Sequence, residues 1–185
     1  MTKRENKPAS KASAFDENGF KSTIQFHLDE IQALYLEDQT PWIIGYSGGK
    51  DSSAVLQLIW ISLSKLNPDQ LTKPVYIISS DTLVENPVVA AWVSNSLNCM
   101  MEAAKNDGLP FHPHKLTPEI SDTFWVKLIG MGYPAPRRQF RWCTERLKIS
   151  PSNKFITDKV SECGETIVVL GTRKSESAAR AQTMA

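Results

Sequence analysis

The sequence predicts an α/β fold, a doubly wound parallel sheet with helices on both faces. Apolar runs beginning at Trp42, Val75 and Thr166 have the length and β-branched content of buried strands. Helical apolar patterns separate these runs, and this alternation is typical of doubly wound sheets. In such sheets ligands bind beyond the carboxyl ends of the strands, so the residues that follow each strand are the first candidates for function.

The overall composition is that of an ordinary globular protein. The chain has 185 residues, 41% of them hydrophobic and 22% charged, and its formal net charge is +1. This charge does not by itself indicate a nucleic-acid-binding protein. No apolar run approaches the roughly 20 residues of a membrane span, and the polar N-terminus lacks the apolar core of a signal peptide. We therefore expect a cytoplasmic protein with no membrane partner.

The first half of the chain divides into a polar tail and regular elements. Residues 1–19 are rich in Lys, Asn, Ser and Ala and are predicted to be a disordered tail, so that one domain covers residues 20–185. A helix is predicted from about Phe20 to Glu37. Pro41 then precedes the first strand, and an apolar helical stripe follows over about residues 51–66.

The second half continues the alternation. Asn86-Pro87 is a strong helix start, since a capping side chain precedes a proline at the first helical position. The predicted elements are a strand at 75–78, a helix from 86 to about 105, a short strand at 111–116, a short helix around 122–129, a helix at 151–163 and a strand at 166–170.

The turn after the first strand carries the most specific signal. It contains Ser47, Gly48, Gly49, Lys50, Asp51, Ser52 and Ser53. A strand, a glycine turn and a helix together direct backbone N–H groups and a helix N-terminus at an anion. The two glycines permit positive φ and close approach of the backbone, while the hydroxyls and Lys50 add donors and a cation. The spacing fits neither a Walker A loop nor a dinucleotide fingerprint. We therefore predict a different phosphate-binding loop, in which Asp51 caps the helix or helps to hold magnesium.

Polar residues also follow two other predicted strands. Asp81 and Thr82 lie where a ribose or an adenine would cross the sheet, and a simple loop cap is the alternative. Arg173 and Arg180 follow the last strand and suit bidentate phosphate contacts, with Glu176 orienting one of them. The alternative for this segment is a surface helix with ordinary charge pairs.

Two motifs together resemble one family of enzymes. Ser47-Gly-Gly-Lys-Asp-Ser52 resembles the signature of the PP-loop ATP pyrophosphatases, and the segment from Gly171 through Ser177 to Arg180 resembles an element of their PAPS reductase branch. Three segments carry a narrower resemblance, namely SDTLVENPVV at 80–89, YPAPRRQFRWCTERLKISP at 133–151 and LGTRKSESAARA at 170–181. With them, the chain from about residue 20 to 185 is similar to the DndC family of DNA phosphorothioation sulfurtransferases. The resemblance implies a Rossmann-like fold of the adenine nucleotide alpha hydrolase type and cleavage of ATP to AMP and pyrophosphate, with Mg²⁺ as counterion. The candidate catalytic residues are Lys50, Asp51, Cys143 and Arg173.

Cys143 is the most informative of the three cysteines. Arg141 and Arg146 lie nearby in sequence, and neighbouring cations favour a thiolate. The resemblance implies that Cys143 ligates a 4Fe-4S cluster or carries sulfur, and the alternative is a small buried apolar residue. Such a cluster usually needs four thiolates. Cys99 and Cys163 do not fit the expected pattern, so we expect the other ligands to lie outside this chain, which would then be a fragment of a longer protein.

The segment before Cys143 suggests a nucleic-acid contact. Arg137, Arg138 and Arg141 alternate with Phe140 and Trp142, and cations with aromatic rings suit phosphates and bases. Contacts to the nucleotide or a solvated loop are the alternatives. The resemblance implies DNA as the acceptor, a cysteine desulfurase as sulfur donor, and other subunits of a phosphorothioation complex. A sulfonucleotide reductase and a non-catalytic nucleotide- or DNA-binding module remain the rival functions.

Overall fold

The computed structural model describes residue 15 and residues 19–137 and 139–173. Most of the predicted tail, together with Arg138, lies outside the described residues. The same is true of Glu176, Ser177 and Arg180, whose predicted roles therefore stay predictions.

Four parallel strands form the sheet. They are β1 (Trp42–Gly45), β2 (Val75–Ser80), β3 (Phe111–Leu116) and β4 (Ile167–Leu170), in the order β3-β2-β1-β4. Ile44 is paired with Ile77 on one side and with Val169 on the other, so β1 lies at the centre. The chain moves outward from β1 through β2 to β3 and then returns to place β4 on the opposite side. This reversal at β1 marks the position where such sheets bind ligands.

Helices cover both faces of the sheet, which confirms the predicted α/β fold. The helices are α1 (Gly19–Glu37), α2 (Lys50–Leu63), α3 (Pro87–Asp107), α4 (Trp142–Thr144) and α5 (Ser150–Cys163). The Asn86 side chain accepts a hydrogen bond from the Val88 N–H and caps α3 as predicted. None of the helices in the described ranges has the length and apolar character needed to cross a membrane.

The core lies between the sheet and helices α2 and α3. Alternate strand residues such as Ile44 and Ile77 pack there against Leu56 and Leu97, and all four are buried. On the other face Tyr76 contacts Phe155 of α5, with their ring centroids 5.7 Å apart. Burial on both faces explains why β1 and β2 read as continuous apolar runs rather than as alternating patterns, whereas β4 is largely exposed in the described structure.

α1 is joined to the start of β2 by a buried lysine. Lys73 is 2% exposed, and its Nζ lies 2.6 Å from Asp38 Oδ1. The Tyr35 hydroxyl donates to the Lys73 carbonyl at 2.7 Å, and the lysine ammonium lies over the Tyr35 ring. These contacts fix the helix that precedes β1 against the strand that follows α2.

The helix before β4 begins earlier than Pro151, where the sequence predicted its start. The segment 142–163 is helical throughout, with a π-helical turn at Glu145–Ile149 between α4 and α5. In this turn the Ser150 N–H donates to the Glu145 carbonyl, five residues back. A proline inside an α-helix lacks a donor and clashes with the carbonyl four residues earlier, and the wider turn is a local way to accommodate Pro151.

The predicted helix around residues 122–129 was also wrong in detail. A 3₁₀ turn covers Ile120–Asp122, and a π-helical turn covers Val126–Gly130. The Lys127 ammonium is 2.9 Å from Asp122 Oδ1, and this ion pair joins the two turns.

Candidate functional site

A cleft of about 560 Å³ opens at the carboxyl edge of the sheet, between α3 and α5. Its volume is within the range of small-molecule sites. Its lining includes Ser47, Gly49, Asp51 and Ser52 after β1, Asp81 and Glu85 after β2, Lys115 of β3, and Gly171 and Thr172 after β4. Candidate residues that are far apart in sequence therefore meet at one site, as parallel strands require.

The phosphate loop, residues 47–53, has the backbone geometry that its glycines predicted. Gly48 has φ +72°, and a Cβ atom there would lie 2.6 Å from Cζ3 of Trp92. Gly49 is the N-cap of α2 and provides no side-chain cap, so the N-terminus of this helix is open to a ligand. This combination of positive φ, close packing and an open helix N-terminus is typical of an anion-binding turn.

Serine hydroxyls hold the loop in shape. Ser52 Oγ donates to the Gly49 carbonyl at 3.0 Å and accepts from the Ser47 N–H at 3.2 Å. Ser47 Oγ lies 3.1 Å from Ser52 Oγ. Ser52 is buried, so its hydroxyl serves the loop itself more than a ligand.

The segment after β4 is packed directly against this loop. A Cβ atom at Gly171 would lie 2.8 Å from the Asp51 carbonyl oxygen, so only glycine fits without a shift. Arg173 Nε lies 3.0 Å from Asp51 Oδ2, and Lys50 Nζ lies 3.9 Å from Asp51 Oδ1. Two cations therefore flank the start of α2, although neither Lys50 nor Arg173 is among the described residues that line the cleft.

Two further ion pairs lie on the opposite side of the cleft. Asp81 accepts a hydrogen bond from the Leu83 N–H at 2.9 Å and pairs with Lys115 at 3.2 Å. Glu85 pairs with Lys148 at 3.1 Å. The sequence reasoning missed both lysines, although Lys115 is a charged residue near the end of a strand. Lys148 lies in the π-helical turn Glu145–Ile149, which was missed because the helix was predicted to begin only at Pro151.

The role predicted for Thr82 stays a prediction. Thr82 is buried at 4% exposure and is absent from the described residues that line the cleft. Its neighbour Asp81 does line the cleft, through the loop contacts given above.

Part of the cleft lining is apolar. Ile78, Ile156 and Leu170 contribute to its lining, and the absence of a side chain at Gly45 makes room for Leu170, whose Cδ2 would lie 2.6 Å from a Cβ there. The cleft thus joins an anion-binding end to an apolar slot, and this pairing suits a nucleotide with a flat base.

Cys143 lies on α4 and is partly exposed. The preceding Trp142 is buried, donates from Nε1 to the Pro134 carbonyl at 3.0 Å, and stacks on Phe124 with centroids 5.5 Å apart. The backbone that carries the cysteine is therefore held firmly. Cys143 itself is not among the described residues that line the cleft.

The cysteines do not assemble an iron–sulfur site within the described ranges. Cys99 and Cys163 are free and exposed, and no group of three or more His, Cys, Asp or Glu side chains there can hold a metal ion. A four-thiolate cluster does not fit these residues, and Cys143 as a ligand stays a prediction. Magnesium needs fewer protein ligands, because one or two carboxylates together with the substrate phosphates are enough to bind it. Asp51 is a carboxylate of the phosphate loop that lines the cleft.

The arginine-rich segment before Cys143 forms a tight turn. Arg137 and Phe140 exchange two backbone hydrogen bonds of 3.0 and 2.9 Å, and Phe140 is 43% exposed. Exposed aromatic and cationic side chains in a turn suit nucleic acid. The predicted contact with DNA stays a prediction.

The fold and the cleft together define an α/β protein with a candidate ligand site at the switch point of a parallel sheet. No protein-family model matches the chain. It is 28% identical over 151 residues to an uncharacterised protein of Methanocaldococcus jannaschii, in a match that covers 82% of this chain and 26% of the relative.

Among solved structures the chain is similar to the U34-tRNA thiolase NcsA from Methanococcus maripaludis, whose structure includes its 4Fe-4S cluster. The TM-score is 0.51 at 13% sequence identity, and the match covers 90% of this chain and 51% of the thiolase. At this identity the likeness establishes the fold. The chain spans about a quarter of the length of the uncharacterised relative and about half of the length of this thiolase.

Proposed function

We propose that this chain is the ATP-dependent sulfurtransferase domain of a DNA phosphorothioation enzyme, in which cleavage of ATP to AMP and pyrophosphate activates the acceptor. The observation that carries the proposal is the phosphate loop. Its positive-φ Gly48, the open N-terminus of α2 and the Asp51–Arg173 pair converge at the switch point of the sheet. This geometry supports a polyphosphate ligand more directly than any other.

The cleft suggests how the substrate would lie. The β- and γ-phosphates would occupy the loop, near Lys50 and Arg173, and the base would occupy the apolar slot beside Ile78 and Leu170. The α-phosphorus would then lie between these two ends. Magnesium, held by Asp51, would supply charge neutralisation on the phosphates.

The proposed chemistry proceeds in two displacements. An acceptor oxygen attacks the α-phosphorus, the bond to the bridging oxygen breaks, and pyrophosphate leaves. The thiol of excess cysteine reduces the desulfurase persulfide, is itself oxidised to a disulfide, and releases sulfur at the sulfide level. This sulfide then attacks the phosphorus of the activated acceptor, and AMP leaves with the oxygen. The protein contributes positioning and preorganised positive charge, which are the main sources of rate enhancement in phosphoryl and nucleotidyl transfer.

Sulfur transfer is supported by the fold shared with a tRNA thiolase and by the partly exposed Cys143. The choice of DNA as acceptor rests on the resemblance of residues 20–185, and of segments 80–89, 133–151 and 170–181 in particular, to the DndC family. A cysteine desulfurase as donor and further subunits of a modification complex belong to the same proposal, as does a cytoplasmic location.

The test combines the chain with ATP, Mg²⁺, cysteine, a cysteine desulfurase and duplex DNA, with tRNA in a parallel reaction. We expect AMP, pyrophosphate and phosphorothioate-linked dinucleotides from digested DNA, detected by mass spectrometry. Ser47→Ala and Asp51→Asn should abolish pyrophosphate release, since the first removes a loop hydroxyl and the second removes the partner of Arg173.

The rival functions give other results. Sulfite formed from PAPS or APS with a thiol, without pyrophosphate release from ATP, would identify a sulfonucleotide reductase. Thiolated tRNA together with unmodified DNA would identify tRNA as the acceptor, and the proposed cleavage of ATP would still hold. Bound ATP without turnover in the complete mixture would identify a binding module.

A further inference from the structure

We propose that Trp92 of α3 is a positioning residue for the phosphate loop, which it supports from outside the cleft. The inference deepens the proposed function and rests on it, because it takes the ligand of the loop to be a polyphosphate.

The indole ring lies against the most constrained point of the loop. A Cβ atom at Gly48 would be 2.6 Å from Cζ3 and 3.3 Å from Cε3 of Trp92, and 3.0 Å from Cγ2 of Val93. Gly48 has φ +72°, a conformation that is open to glycine but that other residues rarely adopt, and its missing side chain lets the indole approach the backbone. The six-membered part of the indole therefore covers the Gly48 backbone on the side of α3.

Other supports of the loop near Gly48 are weak. The Gly49 N–H reaches Ser47 Oγ only at 3.4 Å, and α2 has no side-chain cap. The stronger hydrogen bonds centre on Ser52, further along the loop. Among the described residues, Trp92 and Val93 are therefore the side chains packed against Gly48 on the side of α3, and its peptide units would point their N–H groups at a phosphate.

Trp92 is suited to act through the loop rather than on the ligand. Its neighbours Val93 and Ser94 line the cleft, but Trp92 does not appear among the described lining residues. Its side chain is 50% exposed, so its removal leaves no closed cavity in the core. A lower affinity for phosphate in Trp92 variants would therefore indicate a change in the geometry of the phosphate loop, not the loss of a direct contact with the ligand.

The experiment measures binding of inorganic pyrophosphate and of adenosine, each with Mg²⁺, by calorimetry. Trp92→Ala should weaken pyrophosphate binding about tenfold, below the roughly hundredfold that a 1 Å misplacement can cost. Adenosine lacks phosphates, so its affinity should not change. Trp92→Phe keeps a ring against Gly48 and should recover most of the pyrophosphate affinity.

Met101→Ala is the matched control, because Met101 lies on the same helix with 52% exposure and outside the cleft lining. It should bind both probes as the unmodified chain does. Equal pyrophosphate affinity in Trp92→Ala and the unmodified chain would overturn the inference, as would parallel losses for pyrophosphate and adenosine.

A second measurement remains informative if Trp92→Ala does not fold. Pyrophosphate should change the tryptophan fluorescence of the unmodified chain, and this change should disappear in Trp92→Phe. A change that persists in Trp92→Phe would contradict the inference. Absence of pyrophosphate binding in the unmodified chain would overturn the proposed function as well, and this distinguishes the two failures.

Discussion

At the scale of single residues, two glycines determine how the cleft is built. Gly48 supplies a backbone conformation that other residues rarely adopt, and Gly171 lets the chain after β4 approach the Asp51 carbonyl. The sequence predicted the importance of Gly48, since two glycines in a strand–helix turn indicate an anion site. It did not predict that Gly171 allows close approach to Asp51, because the two residues are 120 positions apart in sequence.

Gly48→Ala should lower stability and also weaken binding of ATP and pyrophosphate. The first effect follows from alanine at positive φ, which costs on the order of 1 kcal/mol or more, and the second from the clash with Trp92. Denaturant unfolding and calorimetry measure the two effects separately.

Gly132→Ala provides the control for backbone strain alone. Gly132 has φ +67°, and a Cβ atom there would have no atom within 4 Å. This variant should show the loss of stability and keep the affinity for ATP. Unchanged ATP binding in Gly48→Ala would contradict the assignment of the loop.

At the scale of elements, hydrophobic periodicity and helix caps predicted most of the fold. The elements that they missed depend on contacts between residues that are distant in sequence. α3 begins at Asn86-Pro87 and ends before Gly108, which adopts a left-handed conformation, as local signals indicate. The helical segment before β4 was misjudged because Pro151 is accommodated by a π-helical turn. That turn brings Lys148 to Glu85, a contact that no local rule predicts.

The docking of α1 makes stability depend on pH through Asp38. The Lys73 ammonium hydrogen-bonds this carboxyl and holds its pKa below the ordinary value of 3.8, with a further contribution from the Thr40 N–H. A lowered folded-state pKa stabilises the folded chain above the unfolded pKa, and this contribution is lost as pH falls through the folded pKa. Asp38→Asn should therefore be less stable than the unmodified chain at pH 7, and the difference should shrink as the pH falls well below 3.8.

Urea unfolding at several pH values measures this difference. Asp69→Asn gives the baseline, because it removes an exposed carboxylate from the 3₁₀ turn between α2 and β2. A gap between Asp38→Asn and the unmodified chain that stays constant from pH 7 into acid would contradict the role of the Lys73 pair.

At the scale of the whole molecule, the order of the strands creates the site. Because β4 returns to the opposite side of β1 from β2, the segments after three strands converge on one edge, and α3 and α5 form its walls. The alternation of elements predicted this convergence for Ser47, Asp81 and Arg173. It did not determine where Cys143 lies relative to the cleft, since that position depends on the irregular segment between β3 and β4.

The central claim is that the phosphate loop binds ATP for cleavage between its α- and β-phosphates. The most direct measurement follows the products of ATP labelled at the γ-phosphate, with Mg²⁺ and the complete acceptor and donor mixture. We expect the label to appear in pyrophosphate, in an amount equal to that of AMP. The Asp51→Asn variant should release no labelled pyrophosphate. Label in inorganic phosphate together with ADP would contradict the account.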